Sequence, residues 1–500
     1  MSFKLEESTI ESIHLAIKSG QVTCKEIVEM YLKRIEDFDR NGPEINSVIT
    51  INSNALEEAD YLDRLYKESG NFIGSLHGIP VLVKDQVETR DITTTFGSVA
   101  FKDYKPKEDA TAIQKLKQAG AIILAKTTLP DFATSWFAFS SAAGETKNPY
   151  ALDRDPGGSS SGTAAGVAAN FGAVGIGEDT GGSIRLPASF NNVFGVRVTT
   201  GLISRSGMSP LVHFQDTAGP MTRSVRDAAI LLDTLVGYDP KDAFTTAALH
   251  AKDAGNYAHQ LQEDALKGAR IGILREVFGP KENTESSEVN EVVNEAIKSM
   301  KNAGAKIIDP VSIPNLENYI DDTAMYLVQS KHDVNKFIQQ RPDAPVSSID
   351  EVFNNDQYHK LLDLLKDIVK GPTNPEDYPG YYKQLFSQVK FRREIENVMA
   401  QHQLDAILFP DVQILPPLKK ELYKEKWTVL TFPTNTLISS QSGLPSISMP
   451  GGFTKDGIPV GVQIMGKAFD EATLLKIAYS FEHHASPRKA PDIQREFVGK

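Results

Sequence analysis

Gly78-Ile79-Pro80-Val81-Leu82-Val83-Lys84-Asp85 opens on a turn glycine, runs through five apolar residues and closes on a lysine. A short apolar run bounded in this way reads as a buried strand, and a lysine at its end starts its side chain in the interior. Burial disfavours the ammonium, so such a lysine can supply an uncharged amine near neutral pH. A lysine that snorkels to the surface, or that pairs with the adjacent Asp85, fits the same residues. Lys84 alone does not choose between these readings.

Two glycine-flanked serine loops lie downstream, Asp155-Pro156-Gly157-Gly158-Ser159-Ser160-Ser161-Gly162 and Gly177-Glu178-Asp179-Thr180-Gly181-Gly182-Ser183-Ile184-Arg185. Gly181 and Gly182 leave the N–H groups from Thr180 to Ser183 free to turn toward one point beside the Ser183 hydroxyl, as an oxyanion requires. A plain glycine turn is the alternative. Ser159 both donates and accepts, so it can pass a proton between an amine and a nucleophile that do not touch. Equally, Ser161 or a neighbour can cap the small-residue run Thr163-Ala164-Ala165-Gly166-Val167-Ala168-Ala169. Amide cleavage by a serine needs a base for its proton, donors for the oxyanion and an acid for the leaving amine. The three segments offer a candidate for each need, without histidine.

Taken together, they closely resemble the amidase signature family, of the stand-alone amidase type, whose catalytic unit is Ser–cis-Ser–Lys. Three motifs carry the resemblance: Gly-Ile-Pro-Val-x-Val-Lys-Asp at 78–85, Pro-Gly-Gly-Ser-Ser-Ser-Gly at 156–162, and Asp-Thr-Gly-Gly-Ser-Ile-Arg-x-Pro-Ala at 179–188. Lys84 and Ser159 are 75 residues apart, Ser159 and Ser183 24 apart, as in the family. Gly443-Leu444-Pro445-Ser446-Ile447-Ser448-Met449-Pro450-Gly451 and Gly457-Ile458-Pro459-Val460-Gly461-Val462-Gln463 look like its closing strands.

The resemblance implies Ser183 as nucleophile, Ser159 as bridging serine on a cis peptide and Lys84 as terminal base. The N–H groups of Thr180, Gly181, Gly182 and Ser183 form the implied oxyanion hole, with Gly158, Ser160, Asp179 and Arg185 in support. The implied reaction turns a small-molecule carboxylic amide into acid plus ammonia or amine through a seryl acyl-enzyme, with no cofactor. Ester or carbamate hydrolysis remains open, as does a role as the glutaminase subunit of a tRNA-dependent amidotransferase. One departure stands out: Glu178 occupies a position where many members have Thr or Ser. A carboxylate pair, Glu178-Asp179, therefore precedes the loop, and one of the two is expected to bind Arg185.

The implied fold is α/β: a single large domain over 1–500 with a central twisted mixed β-sheet surrounded by helices and a signature core at about 75–215. Periodicity agrees with that class. Ser8-Thr9-Ile10-Glu11 and Thr23-Cys24-Lys25-Glu26 read as capping boxes, the second opening a helix with Ile27, Val28, Tyr31, Leu32 and Ile35 on one face. Residues 109–120 and then 121–125 form a helix-then-strand unit, repeated at 287–304 and 305–308, which favours parallel pairing. Further strands are expected at 270–274, 406–409, 446–449 and 460–465. Residues 314–427 read as a variable helical region that shapes the substrate pocket.

Other chemistries find less support. Gly158-Ser159-Ser160-Ser161-Gly162 matches a Gly-x-Ser-x-Gly elbow around Ser160, but a loop precedes it where the elbow needs a strand. Residues 157–163 imitate a phosphate loop without its lysine. Ser387-Gln388-Val389-Lys390 matches Ser-x-x-Lys without the companion motifs and reads as a helix face. No metal is expected, because ten histidines are scattered and the adjacent His483-His484 lack i, i+4 spacing. The glycines of 172–177 are out of order for a dinucleotide fingerprint and mark a tightly packed strand instead. A net charge of −12 argues against a broad nucleic-acid surface. The single cysteine, Cys24, reads as a small core residue, and its lack of a partner fits a reducing compartment. With no membrane span or basic-then-apolar leader in view, a cytoplasmic protein is expected, with homodimerisation open.

Overall fold

Eleven strands form one mixed sheet in the computed structural model, which describes residues 3–493. In chain order the strands are β1 (Val48–Ile51), β2 (Pro80–Lys84), β3 (Ile122–Thr127), then a separate hairpin of β4 (Phe139–Ser140) and β5 (Gly144–Glu145). They continue with β6 (Val174–Asp179), β7 (Phe194–Arg197), β8 (Thr217–Thr222), β9 (Arg270–Leu274), β10 (Lys306–Val311), β11 (Ala406–Pro410), β12 (Ser446–Phe453) and β13 (Pro459–Met465). The spatial order of the large sheet is β1-β3-β2-β6-β8-β7-β12-β13-β11-β9-β10.

Both helix-then-strand units deliver parallel neighbours. Helix Thr111–Gln118 leads into β3 beside β2, with Lys84 opposite Thr127, and helix Thr284–Asn302 leads into β10 beside β9. Between these flanks, the pairs from β6/β8 through β13/β11 are antiparallel. Every residue of β2, β3, β6, β7, β8, β11 and β13 is buried, because helices cover both faces of the sheet's middle. That is why β2, β11 and the first four residues of β3 read as apolar runs rather than as alternation.

The small-residue run becomes helix Ser161–Ala168, buried at all eight positions. A Cβ at Gly162 would come within 2.1 Å of the Ser47 carbonyl, so only glycine lets the helix seat this close to the sheet. Seating it there brings the first serine loop against the strand that carries Lys84.

The N-terminal helix starts one residue later than the sequence suggests. Thr9, not Ser8, is the N-cap: its Oγ1 accepts from Ser12 N at 3.1 Å while Ser12 Oγ accepts from Thr9 N at 2.8 Å. Ser8 is unavailable because its hydroxyl is buried against that of Tyr31, 3.1 Å away. At the second helix the Thr23/Glu26 box forms as expected, and Leu32 is only half-buried beside fully buried Ile27, Val28, Tyr31 and Ile35. Cys24 is fully buried, and burial pushes its thiol up, as befits a core residue.

Residues 314–427 are largely helical, including Tyr326–Gln339, Asp363–Lys370 and Tyr381–His402. Their apolar side chains join Phe96, Trp136, Phe137 and Phe190 in a second core above the serine loops. Among the described residues no helix is long and apolar enough to cross a membrane.

Candidate active site

Lys84 ends β2 with no solvent exposure, so its side chain does not snorkel. Its Nζ lies 2.8 Å from Ser159 Oγ, 3.2 Å from the Glu178 carbonyl and 3.4 Å from Glu178 Oε2. Pairing with Asp85 is excluded, because successive residues of an extended chain point to opposite faces. Asp85 instead meets Lys126 Nζ at 3.0 Å and takes hydrogen bonds from Thr95 N and Oγ1. Burial holds the Lys84 ammonium below its ordinary range, against the opposing pull of Glu178, Asp179 and Asp216.

The Gly158–Ser159 peptide is cis. Ser160 then ties the two serine loops together: its N–H donates to the Ser183 carbonyl (3.1 Å), its Oγ donates to the Glu178 carbonyl (3.2 Å), and Glu178 N lies 3.3 Å from the same Oγ. Ser160 sits at the N-cap position of helix Ser161–Ala168, yet its hydroxyl does not cap it. Fully buried, spent on Glu178 and preceded by a loop, Ser160 is unsuited to the elbow role.

Ser183 is different. It is 4% exposed, and its Oγ makes no hydrogen bond among the described residues. The N–H groups of Gly181, Gly182 and Ser183 likewise meet no acceptor among the described residues. Gly182 has φ +147°, where L side chains rarely go, and a Cβ there would lie 1.9 Å from Thr436 Oγ1. The loop thus keeps its donors unspent beside an unpartnered hydroxyl.

Asp179, not Glu178, binds Arg185. Strand alternation again decides: Glu178 faces Lys84, and Asp179 faces the other way. Arg185 Nε and Nη2 reach Asp179 Oδ2 and Oδ1 at 3.1 and 3.0 Å, and Arg197 Nη1 reaches Oδ1 at 2.7 Å. Asp179 Oδ2 also accepts from Ile184 N, one residue past Ser183. The remaining Arg185 donors go to the Thr436 carbonyl, Ser439 Oγ, Gln463 Oε1 and Ser440 Oγ. Arg185→Lys keeps the charge but cannot serve these acceptors, so about 1–3 kcal/mol of stability should go for each buried partner left unpaired. Activity assays and thermal melts check this; a variant equal to wild type in both would remove Arg185 from the support of the loop.

Four residues that complete the site are missing from the sequence reading. Asp216 Oδ1 lies 2.6 Å from Thr180 Oγ1; Gln215 Nε2 donates to the Thr180 carbonyl at 2.7 Å; Arg197 braces Asp179. The Tyr326 hydroxyl occupies the space beside Gly181, 1.9 Å from where its Cβ would be. Arg197 closes the apolar strand β7 as Lys84 closes β2, so the same signal points to it. Nothing local marks the other three.

A mixed sheet thus delivers a buried lysine to two serine loops, and comparison with known proteins gives the family. The Amidase family model matches residues 26–475, and the chain belongs to that family. A glutamyl-tRNA(Gln) amidotransferase subunit from Thermoanaerobacter pseudethanolicus is 35% identical, the match covering 96% of each chain. The structure of peptide amidase from Stenotrophomonas maltophilia superposes with a TM-score of 0.87 at 32% identity, covering 98% of this chain and 99% of that one. An amidase family protein from Bacillus anthracis gives 0.85 at 31%, covering 98% and 93%. The chain is an amide-hydrolysing enzyme of this family.

Proposed function

We propose that the protein hydrolyses a small carboxylic amide to acid plus ammonia or amine, with Ser183 as nucleophile and Ser159 and Lys84 as its proton relay. The surroundings of Lys84 Nζ carry this reading. A neutral amine has two N–H groups and one lone pair; the Glu178 carbonyl can only accept, Glu178 Oε2 lies second, and the Ser159 hydroxyl at 2.8 Å can donate to the lone pair. Ser183 attacks the carbonyl, its proton passes by way of Ser159 to Lys84, and the free N–H groups of the loop hold the oxyanion. The reverse relay protonates the leaving amine, and a water activated by the same route releases the acid. Trp136 and Tyr326 both lie beside Gly181, where a substrate held by the loop would meet them.

A second reading has a specific observation behind it. The 35% identical relative is named as one component of an amidotransferase, which favours glutamine as the amide and an assembly as the working unit. The solved peptide amidase, similar over nearly its whole length, favours an enzyme acting by itself. Ammonia or amine release from a panel of small amides, peptide amides, esters, carbamates and glutamine separates the two. Turnover of amides other than glutamine by the purified chain is expected. Activity confined to glutamine, or arising only with a co-purifying protein, would replace the first reading by the second.

A further inference from the structure

We propose that Glu178 stores the proton that Lys84 must lack: in the resting site Glu178 is a carboxylic acid donating to Thr180 Oγ1, and Lys84 is the uncharged amine facing Ser159. The inference deepens the proposed function and rests on Lys84 being its base.

The argument begins with the Thr180 hydroxyl. It lies 2.6 Å from Asp216 Oδ1 and 3.1 Å from Glu178 Oε1. A hydroxyl has one hydrogen, and the shorter contact directs it to Asp216 Oδ1, which leaves the Thr180 oxygen to accept at the longer one. The accepting contact requires a proton on a carboxyl group.

Asp216 is the poorer place for that proton. Its Oδ2 already accepts from Leu211 N at 3.0 Å and its Oδ1 from Val212 N at 3.1 Å. The short Thr180 contact adds a third donor, in the distance range of O–H···O⁻ bonds. Three donors suit an anion. Among the described residues the Glu178 carboxyl meets no backbone donor, only the Thr180 hydroxyl at one oxygen and Lys84 at the other. Burial raises both carboxyls, and Asp216 strongly, because the charge of Glu178 beside it adds to the burial; a proton on Glu178 removes that repulsion, and the three donors then favour the Asp216 anion.

Charge balance agrees. The charged and titratable groups around Glu178 and Lys84 are Asp179, on the opposite face of β6 and paired with Arg185 on the helix after Ser183, Arg197 on β7, Asp216 before β8, and the Tyr326 phenol on helix Tyr326–Gln339, which burial keeps neutral. Arg185 and Arg197 both bind Asp179, and their two positive charges are matched in number by Asp179 and Asp216. Glu178 as acid and Lys84 as amine leave the buried cluster without net charge, as an ion pair would, but spare both groups the desolvation of a buried charge. With its proton directed at Thr180, Glu178 keeps Oε2 as an acceptor for an N–H of the Lys84 amine.

Infrared difference spectra of wild type minus Glu178→Gln, in H2O and D2O, test the assignment. A carbonyl band of a protonated carboxylic acid, sensitive to deuteration, is expected in the wild type, missing in the variant and kept in Asp216→Asn. Loss of that band in Asp216→Asn but not in Glu178→Gln would overturn the proposal. The pH profile of kcat/KM gives a second reading. Glutamine is uncharged like the acid, so the acid limb should hold its position. An ion pair in the wild type would instead have kept Lys84 protonated, and the limb in the variant would fall by about 1–3 pH units. Glu178→Thr serves if the glutamine variant does not fold. The spectra need no turnover. Retained activity in Ser183→Ala would therefore defeat the proposed function while the spectra still located the proton.

Discussion

Ser183→Ala is expected to lower kcat by about 10⁴-fold or more while leaving the fold intact. Both halves follow from the same observation: the Ser183 hydroxyl has no hydrogen-bond partner among the described residues. Removing it breaks no bond of the folded state, so unfolding midpoints of the two proteins should coincide. On the proposed mechanism catalysis loses the atom that forms the acyl-enzyme, and oxyanion donors alone sustain little turnover. Ser160→Ala provides the contrast, since its hydroxyl joins the two serine loops through Glu178. That change should cost stability and some activity. If Ser160→Ala abolished turnover and Ser183→Ala did not, the nucleophile would be reassigned.

The parts of this site that could be read in the sequence are those whose chemistry is local. Lys84 announces itself as a cation ending a buried apolar run, and Gly181-Gly182-Ser183 as a loop rich in free donors. Facing is harder. Alternation says that Glu178 and Asp179 point apart, but which of them meets Lys84 depends on β2 lying beside β6, a pairing of segments some ninety residues apart. Asp216 and Tyr326 reach the loop from 36 residues away and from another helix, by topology alone. The first helix shows the same limit at small scale. Ser8 and Thr9 both suit a cap, and only the buried Tyr31 hydroxyl removes Ser8 from the choice.

Asp179→Asn is expected to be the most destabilising single change at the site, by about 3–5 kcal/mol at neutral pH. Arg185 and Arg197 are both fully buried and both depend on this carboxylate, so neutralising it leaves two guanidinium charges without a counter-ion. Denaturant unfolding of the two proteins measures the difference. Its pH dependence identifies the cause. Burial alone would raise the Asp179 carboxyl, but Arg185, Arg197 and the hydrogen bonds from Arg185 and Ile184 outweigh it and hold the group well below the usual carboxylate range. A depressed folded-state value gives stability that is complete above the unfolded value, about 3.9, and drains away as pH falls toward the folded one. The gap between wild type and Asp179→Asn should therefore be constant above about pH 5 and narrow as pH drops below about 4. A gap that stays constant into acid would mean that Asp179 contributes shape and hydrogen bonds but no charge. Because Asp179 also takes the Ile184 N–H, the loop donors should lose their alignment in the same variant, and kcat should fall with stability. Recovery of stability by a second change, Arg197→Met, without recovery of kcat would separate the electrostatic role from the alignment of the loop.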